Sequence, residues 1–217
     1  MCHRSPRNPR GGAAIREVGR NRYMAVRPGT IDGLFVFERP RQDDDRGFFR
    51  EAFRLSELEQ VLSDPPRFVQ MNHSRSYRHV LRGLHAENWE KLVYVPSGRV
   101  FTALADIRPA SPTFGKTATF HLDEESTVTA LFIPRGLAHG YCVLSDAADY
   151  VYQVSAYYDG SDTRAVAWDD PDLAVPWPLP KPILSDRDMH NPSLRDLFAD
   201  HPRFAKLAHG AVPLPAS

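Results

Sequence analysis

The chain has 217 residues, enough to bury the core of one substantial domain with little left for a second. Its 27 Lys and Arg balance 27 Asp and Glu, so no net field draws it to nucleic acid or to a membrane surface, and a small-molecule partner is expected. No run approaches the roughly 18 apolar residues of a membrane span, the amino terminus lacks the apolar core of a signal peptide, and Cys2 and Cys142 offer neither a disulfide framework nor metal-ligand spacing. A soluble protein of the reducing cytoplasm is expected.

In chain order, residues 1–24 are Arg-, Pro- and Gly-rich with almost no periodic apolar positions, and read as a flexible tail. From Met24 onward, short β-type runs alternate with turn residues: GLFVFE, RGFFREAF, FVQMNHS, KLVYVPSGRVFTALADI, KTATFHL, STVTALFIP, GYCVLS and DYVYQVSAYY. This rhythm predicts an all-β sandwich or barrel rather than parallel βαβ units, and two antiparallel sheets folded as a jelly roll accommodate it. The spacing of Leu55, Leu58 and Leu62 predicts a short helix, with Ser56 as its N-cap and Glu59 three residues on. Pro65 and Pro66 stop it. Ser97-Gly98 reads as a hairpin turn between two strands. Pro at short intervals in WDDPDLAVPWPLPKPILSDRD excludes a central strand or a helix, so this segment is expected to wrap the barrel in extended form. The domain is therefore taken as residues 25–190, and residues 191–217 as a carboxy-terminal helix and tail packed on the barrel.

Nine histidines invite a metal site, because jelly rolls often hold iron or manganese through a His-x-His pair. No such pair occurs. His73, His79 and His85 recur every six residues, but the Arg and Ser between them break a single strand. His85 has the most informative setting. It ends VLRGLH, where Gly83 permits close backbone approach and Arg82 offers a fork for phosphate or carboxylate. From this context alone, a catalytic His85 and a packed core histidine both remain open.

Seven blocks settle the matter further. DDRGFFRE (44–51), FVQMNHSRS (68–76), VLRGLH (80–85), KLVYVPSGRVFTALADIRPASPTFG (91–115), IPRGLAHGYCVLSD (133–146), YVYQVSAYY (150–158) and PILSDRD (182–188) resemble, in order and spacing, the dTDP-4-dehydrorhamnose 3,5-epimerase family. The resemblance implies a cupin-like jelly roll with short peripheral helices, a homodimer, a nucleotide-linked 4-keto-6-deoxyhexose substrate, and neither metal nor organic cofactor. It implies His85 as the base, Asp188 as its partner, Tyr152 as the opposing acid thirteen residues after His139, and Lys91 beside the C4 oxygen. Arg82 and Arg46 are then suited to the diphosphate, while Phe49, Glu51, Gln70, Asn72, His139 and Tyr158 match pocket positions.

Two departures bear on substrate. Only five residues separate His85 from Lys91, fewer than in the family, so Glu87, Trp89 or Glu90 either meets a different sugar or nucleotide or simply closes a shorter loop. Tyr141 also stands where Phe is usual. Inversion at C3, at C5 or at both, a related keto-sugar isomerase, and a sugar-nucleotide-binding module without chemistry are the alternatives.

Overall fold

The β-type runs become strands that pair at long range. The computed structural model describes residues 25–158 and 164–204. The proposed amino-terminal tail lies outside them, as does the chain beyond residue 204. Among the described residues the elements are β1 Ala25–Pro28, β2 Phe35–Glu38, β3 Gln42–Asp44, β4 Gly47–Phe49, α1 Leu55–Val61, β5 Gln70–Tyr77, β6 Leu81–Ala86, β7 Lys91–Ser97, β8 Val100–Asp106, β9 Thr117–Leu122, β10 Val128–Ile133, β11 Leu137–Val143, β12 Ala147–Val154, β13 Arg164–Ala165, α2 Asp186–Met189 and α3 Leu194–Leu197.

Six strands form one sheet in the order β1-β2-β10-β7-β12-β5, five form a second in the order β13-β6-β11-β8-β9, and β3-β4 is a separate hairpin. The pairings are antiparallel, and the sheets face each other as a jelly roll. Between them lies a core of Val36, Val93, Val95 and Leu131 from the first sheet against Val100, Leu104, Leu137 and Val143 from the second. The outer face of the second sheet is covered as well. Leu81, Leu84, Phe101, Ala103 and Ala138 pack there under Val166, Leu173, Leu194 and Phe204, with Trp168 and Trp177 alongside. Burial on both faces explains why β8 and β11 read as continuous apolar runs rather than as alternation.

The Pro-rich segment does wrap the barrel without joining a central strand, but its end is helical, contrary to expectation: beyond its last proline, Pro182, residues 186–188 begin α2 under the Ser185 cap. Its Trp177 Nε1 donates to the Trp168 carbonyl at 2.7 Å, which anchors the wrap. Asp106, buried at the end of β8, accepts from Arg108, Ser111 and Thr113, and these bonds hold the acid below its ordinary range against the upward push of burial. Burial pushes the Cys142 thiol up to about 11, so it behaves as a small apolar residue of the core.

Three other local expectations change. The α1 helix has Arg54, not Ser56, at its N-cap, with no side-chain cap bond. Leu58 is fully buried against Phe37, Leu92 and Phe132, and that burial, worth roughly 1.5–3 kcal/mol for a leucine side chain, sets the helix register more strongly than a cap does. The run RGFFREAF yields only the three-residue β4. Ser97-Gly98 does not close a hairpin: β7 pairs with β10 and β12, whereas β8 pairs with β11 and β9. The turn instead carries the chain from one sheet to the other, because β7 finds both its partners, and β8 finds β11, far away in sequence.

Candidate active site

A cavity of about 290 Å³ opens between the sheets. The five-stranded sheet contributes Arg82 and His85 from β6 and His139 and Tyr141 from β11; the six-stranded sheet contributes Ser74, Lys91, Tyr150 and Tyr152. Glu87 enters from the β6–β7 connection, and Ser185, Arg187 and Asp188 come from α2 and its cap.

Arg82 and His85 are three residues apart, and a regular strand would point them to opposite faces. A bulge removes the conflict. His85 pairs with His139 and Arg82 with Tyr141, so three steps along β6 match two along β11. Gly83 makes this possible: its φ is +136°, and a Cβ there would stand 2.5 Å from Gly140 Cα and 3.0 Å from the His139 carbonyl oxygen.

His85 Nε2 lies 2.6 Å from Asp188 Oδ1. Asp188 is itself held in place, since its Oδ2 accepts from the Gly83 amide at 3.4 Å and its own amide donates to Ser185 Oγ at 3.2 Å. Burial pushes this carboxyl up, but the hydrogen bond and charge of His85 and the Gly83 and Ser185 bonds outweigh it, leaving Asp188 below its ordinary value and ionised. An ionised partner on Nε2 keeps the proton there. Nδ1 is then the lone-pair nitrogen free to take a proton.

On the facing sheet, Tyr150 and Tyr152 alternate by two and both reach the cavity, but their environments separate them. Tyr150 is fully buried, bonded to His139 Nε2 at 2.7 Å and stacked on Tyr141 with ring centroids 4.0 Å apart. Tyr152 is only half-buried and lies opposite Asn72 of β5; burial, then the Glu87 charge, raise its pKa, so it enters the site as a protonated phenol. Burial and the charges of Lys91 and His85 hold His139 well below the ordinary histidine value, so it is a neutral hydrogen-bond partner of Tyr150. Lys91 is buried and ion-paired with Glu87. The Tyr141 hydroxyl lies 3.0 Å from Ser74 Oγ and 3.1 Å from Ser76 Oγ, and Ser76 accepts from Arg82 Nε at 2.9 Å, so Tyr141 helps to orient the arginine at the rim.

The cavity thus gathers His85, Asp188, Tyr152, Lys91, Arg82 and His139 from the sequence-predicted set. Gln70, Asn72 and Tyr158 sit beside it rather than in its wall: Gln70 Nε2 donates to Asn72 Oδ1 at 2.8 Å, and the Tyr158 amide donates to Gln70 Oε1 at 3.3 Å. Arg46, Phe49 and Glu51 are not brought to it. Arg46 caps the β3–β4 hairpin against Asp44, Phe49 is 67% exposed, and Glu51 pairs with Arg54 beside a separate recess. Sequence reasoning passed over Ser74, Tyr150, Ser185 and Arg187. Tyr150 was readable from its two-residue offset to Tyr152, and Ser185 and Arg187 from their place beside Asp188; nothing in the sequence marks Ser74. Among the described residues no group of three or more His, Cys, Asp or Glu is placed to hold a metal ion, and no helix is long and apolar enough to cross a membrane.

A jelly roll that sets a carboxylate-held imidazole against a phenol across one cavity has the frame of a proton-transferring isomerase. Residues 28–196 match the dTDP-4-dehydrorhamnose 3,5-epimerase family, and the chain belongs to it. It is 40% identical over 177 residues to the dTDP-4-dehydrorhamnose 3,5-epimerase of Shigella flexneri, spanning 80% of this chain and 97% of that one. It is 34% identical over 169 residues to a dTDP-4-dehydrorhamnose 3-epimerase of Streptomyces niveus, spanning 76% and 81%. Among solved structures, the epimerase of Legionella pneumophila in complex with dTDP-4-keto-L-rhamnose superimposes with a TM-score of 0.74 at 39% identity, covering 82% of this chain and 96% of that one.

Proposed function

We propose that the protein epimerises a dTDP-linked 4-dehydro-6-deoxyhexose at C3, C5 or both, in deoxysugar synthesis of the dTDP-rhamnose type. The observation that carries this is the His85–Asp188 pair and Tyr152 lining one cavity from its two facing sheets. A ketone at C4 acidifies the hydrogens on C3 and C5, because the carbanion left behind is delocalised as an enolate. His85 Nδ1 takes the proton, Asp188 stabilises the imidazolium that results, Lys91 meets the charge developing on the C4 oxygen, and Tyr152 returns a proton to the opposite face. The product keeps the substrate's atoms, and exchange with solvent water takes the proton from His85 and returns one to Tyr152 before the next turnover. The cavity is at the small end of the range for ligand pockets, about 300–1,000 Å³. That suits one sugar ring, with the nucleotide lying across the rim where Arg82 can grip the diphosphate.

The proposal includes a homodimer. Phe48 and Phe49 on the β3–β4 hairpin and Met71 and Tyr77 on edge strand β5 are 42–69% exposed. A second copy would cover them, and it offers Arg46, Phe49 and Glu51 a cavity rim that their own subunit does not. A reducing cytoplasm is the proposed compartment, one in which the buried free thiol of Cys142 persists.

Incubation with dTDP-4-keto-6-deoxyglucose in D2O, followed by NMR, tests the proposal. Deuterium entering at C3 and C5 is the expected result. Entry at one position alone makes the enzyme a monofunctional epimerase, a variant favoured by the altered cavity wall at Glu87. No entry at either position overturns the activity and leaves a binding module.

A further inference from the structure

The β6–β7 connection is short, and each of its large side chains has a distinct place. Trp89 is buried with its ring edge-on to Tyr158, centroids 6.1 Å apart. Glu90 is drawn outward to Arg135 Nε at 2.7 Å, and its amide donates to Ser155 Oγ at 3.0 Å. The Glu87 carbonyl accepts from the Gly136 amide at 2.9 Å. With the backbone pinned in this way, the Glu87 side chain turns inward and becomes part of the cavity wall, 14% exposed, beside Lys91.

A carboxylate in that position needs a reason, since burying a charge is costly unless it is paired and hydrogen-bonded. Lys91 supplies the pairing. Lys91 takes up Oε2, which is closed off from solvent, and Oε1, with no hydrogen bond of its own among the described residues, is the oxygen left to the cavity. With Lys91 on the C4 oxygen of a bound sugar, Glu87 faces a substituent on a neighbouring ring carbon. Those neighbours carry a methyl group at C5 and a hydroxyl at C3. A methyl group would desolvate the carboxylate with nothing in return, whereas the hydroxyl donates to it.

We propose that Glu87 is a specificity-determining residue whose carboxylate accepts a hydrogen bond from the C3 hydroxyl of the 4-keto-sugar, selecting substrates with a donor there over 3-deoxy sugars. This role rests on the epimerase activity proposed above. It gives the short connection a consequence: the loop does not merely close, it inserts a recognition group beside the reacting carbon.

The test compares dTDP-4-keto-6-deoxyglucose with its 3-deoxy analogue, reading as kcat/KM the deuterium exchange at C5, or at C3 if the enzyme exchanges only there, since both sugars carry acidic hydrogens at both carbons. The wild-type protein is expected to prefer the hydroxylated sugar by on the order of tenfold to a hundredfold, the usual cost of leaving a buried charged acceptor without its donor. In Glu87→Ala the preference falls to about unity. In the isosteric Glu87→Gln, a neutral acceptor, it falls part of the way, and this variant decides the matter if Glu87→Ala does not fold. An unchanged preference in either folded variant, with both sugars slowed alike, overturns the proposal and confines Glu87 to holding Lys91. Wild-type protein that exchanges neither sugar at C3 or at C5 removes the epimerase activity itself and this role with it.

Discussion

The two walls of the cavity are built differently. On the five-stranded sheet, the His85 ring is held by Asp188, Asp188 by the Gly83 amide and the Ser185 cap, and the outer face of that sheet is anchored by Leu194 and Phe204. On the six-stranded sheet, Tyr152 is half-buried opposite Asn72 of β5, and Lys91 is paired with the Glu87 carboxylate. The difference fits the roles proposed for the two sides. A base must present one tautomer in one orientation, so it is fixed through its second nitrogen. An acid and an oxyanion partner must have their polar atoms available to substrate, so they are positioned by their strands and left lightly bonded.

Substitutions that equalise the walls should therefore have unequal effects. His85→Ala removes the base and is expected to slow C3 and C5 exchange by about 10³–10⁴, and Asp188→Asn, which spoils the tautomer, by about 10²–10³. NMR in D2O reads both, and exchange at wild-type rate in either variant would break the assignment of the base. Lys91→Gln comes next, with kcat down by about 10²–10³ as the enolate loses its cation. Tyr152→Phe should spare exchange within a few-fold yet reduce inversion about 10²-fold, because proton removal and return use opposite walls. Equal losses of exchange and inversion would show that the two walls do not divide the work.

The smallest expected effect is on stability. His139 is held well below the ordinary value of 6.5 by burial and by the Lys91 and His85 charges, so the unfolded chain takes up a proton near 6.5 that the folded chain refuses. Its contribution is complete above that pH and is lost progressively as pH falls below it. Thermal melts between pH 7.5 and 5 should show the midpoint declining on the acid side, and His139→Gln should flatten that decline at some cost to the Tyr150 hydrogen bond. A midpoint that rises on acidification would contradict the neutral state of His139.

Much of the barrel was legible because its signals are local. The runs at residues 91–106, 117–122 and 128–133 carry the β-branched and aromatic residues that fit a pleated buried surface, and Pro at short intervals after Trp168 forbids both regular structures. The residue blocks singled out His85, Asp188, Tyr152, Lys91, Arg82 and His139, and these do meet at one cavity. Arg46, Phe49 and Glu51 do not meet it, since a block match carries no information about which surface, or which copy of the chain, a hairpin faces.

The sequence by itself determined an antiparallel β protein, the family it belongs to, and the chemical types available for proton transfer, because apolar alternation, turn residues and motif spacing act over a few residues. Tertiary structure decided the rest. It sent Ser97-Gly98 between sheets instead of around a hairpin, placed the Gly83 bulge that turns Arg82 and His85 to one side, and brought Asp188 to His85 across 103 residues. It also turned Glu87 inward and Glu90 outward from neighbouring positions in one short loop. Each of these depends on which faces are buried against which distant strands, a balance of long-range burial and polar satisfaction that no local window contains.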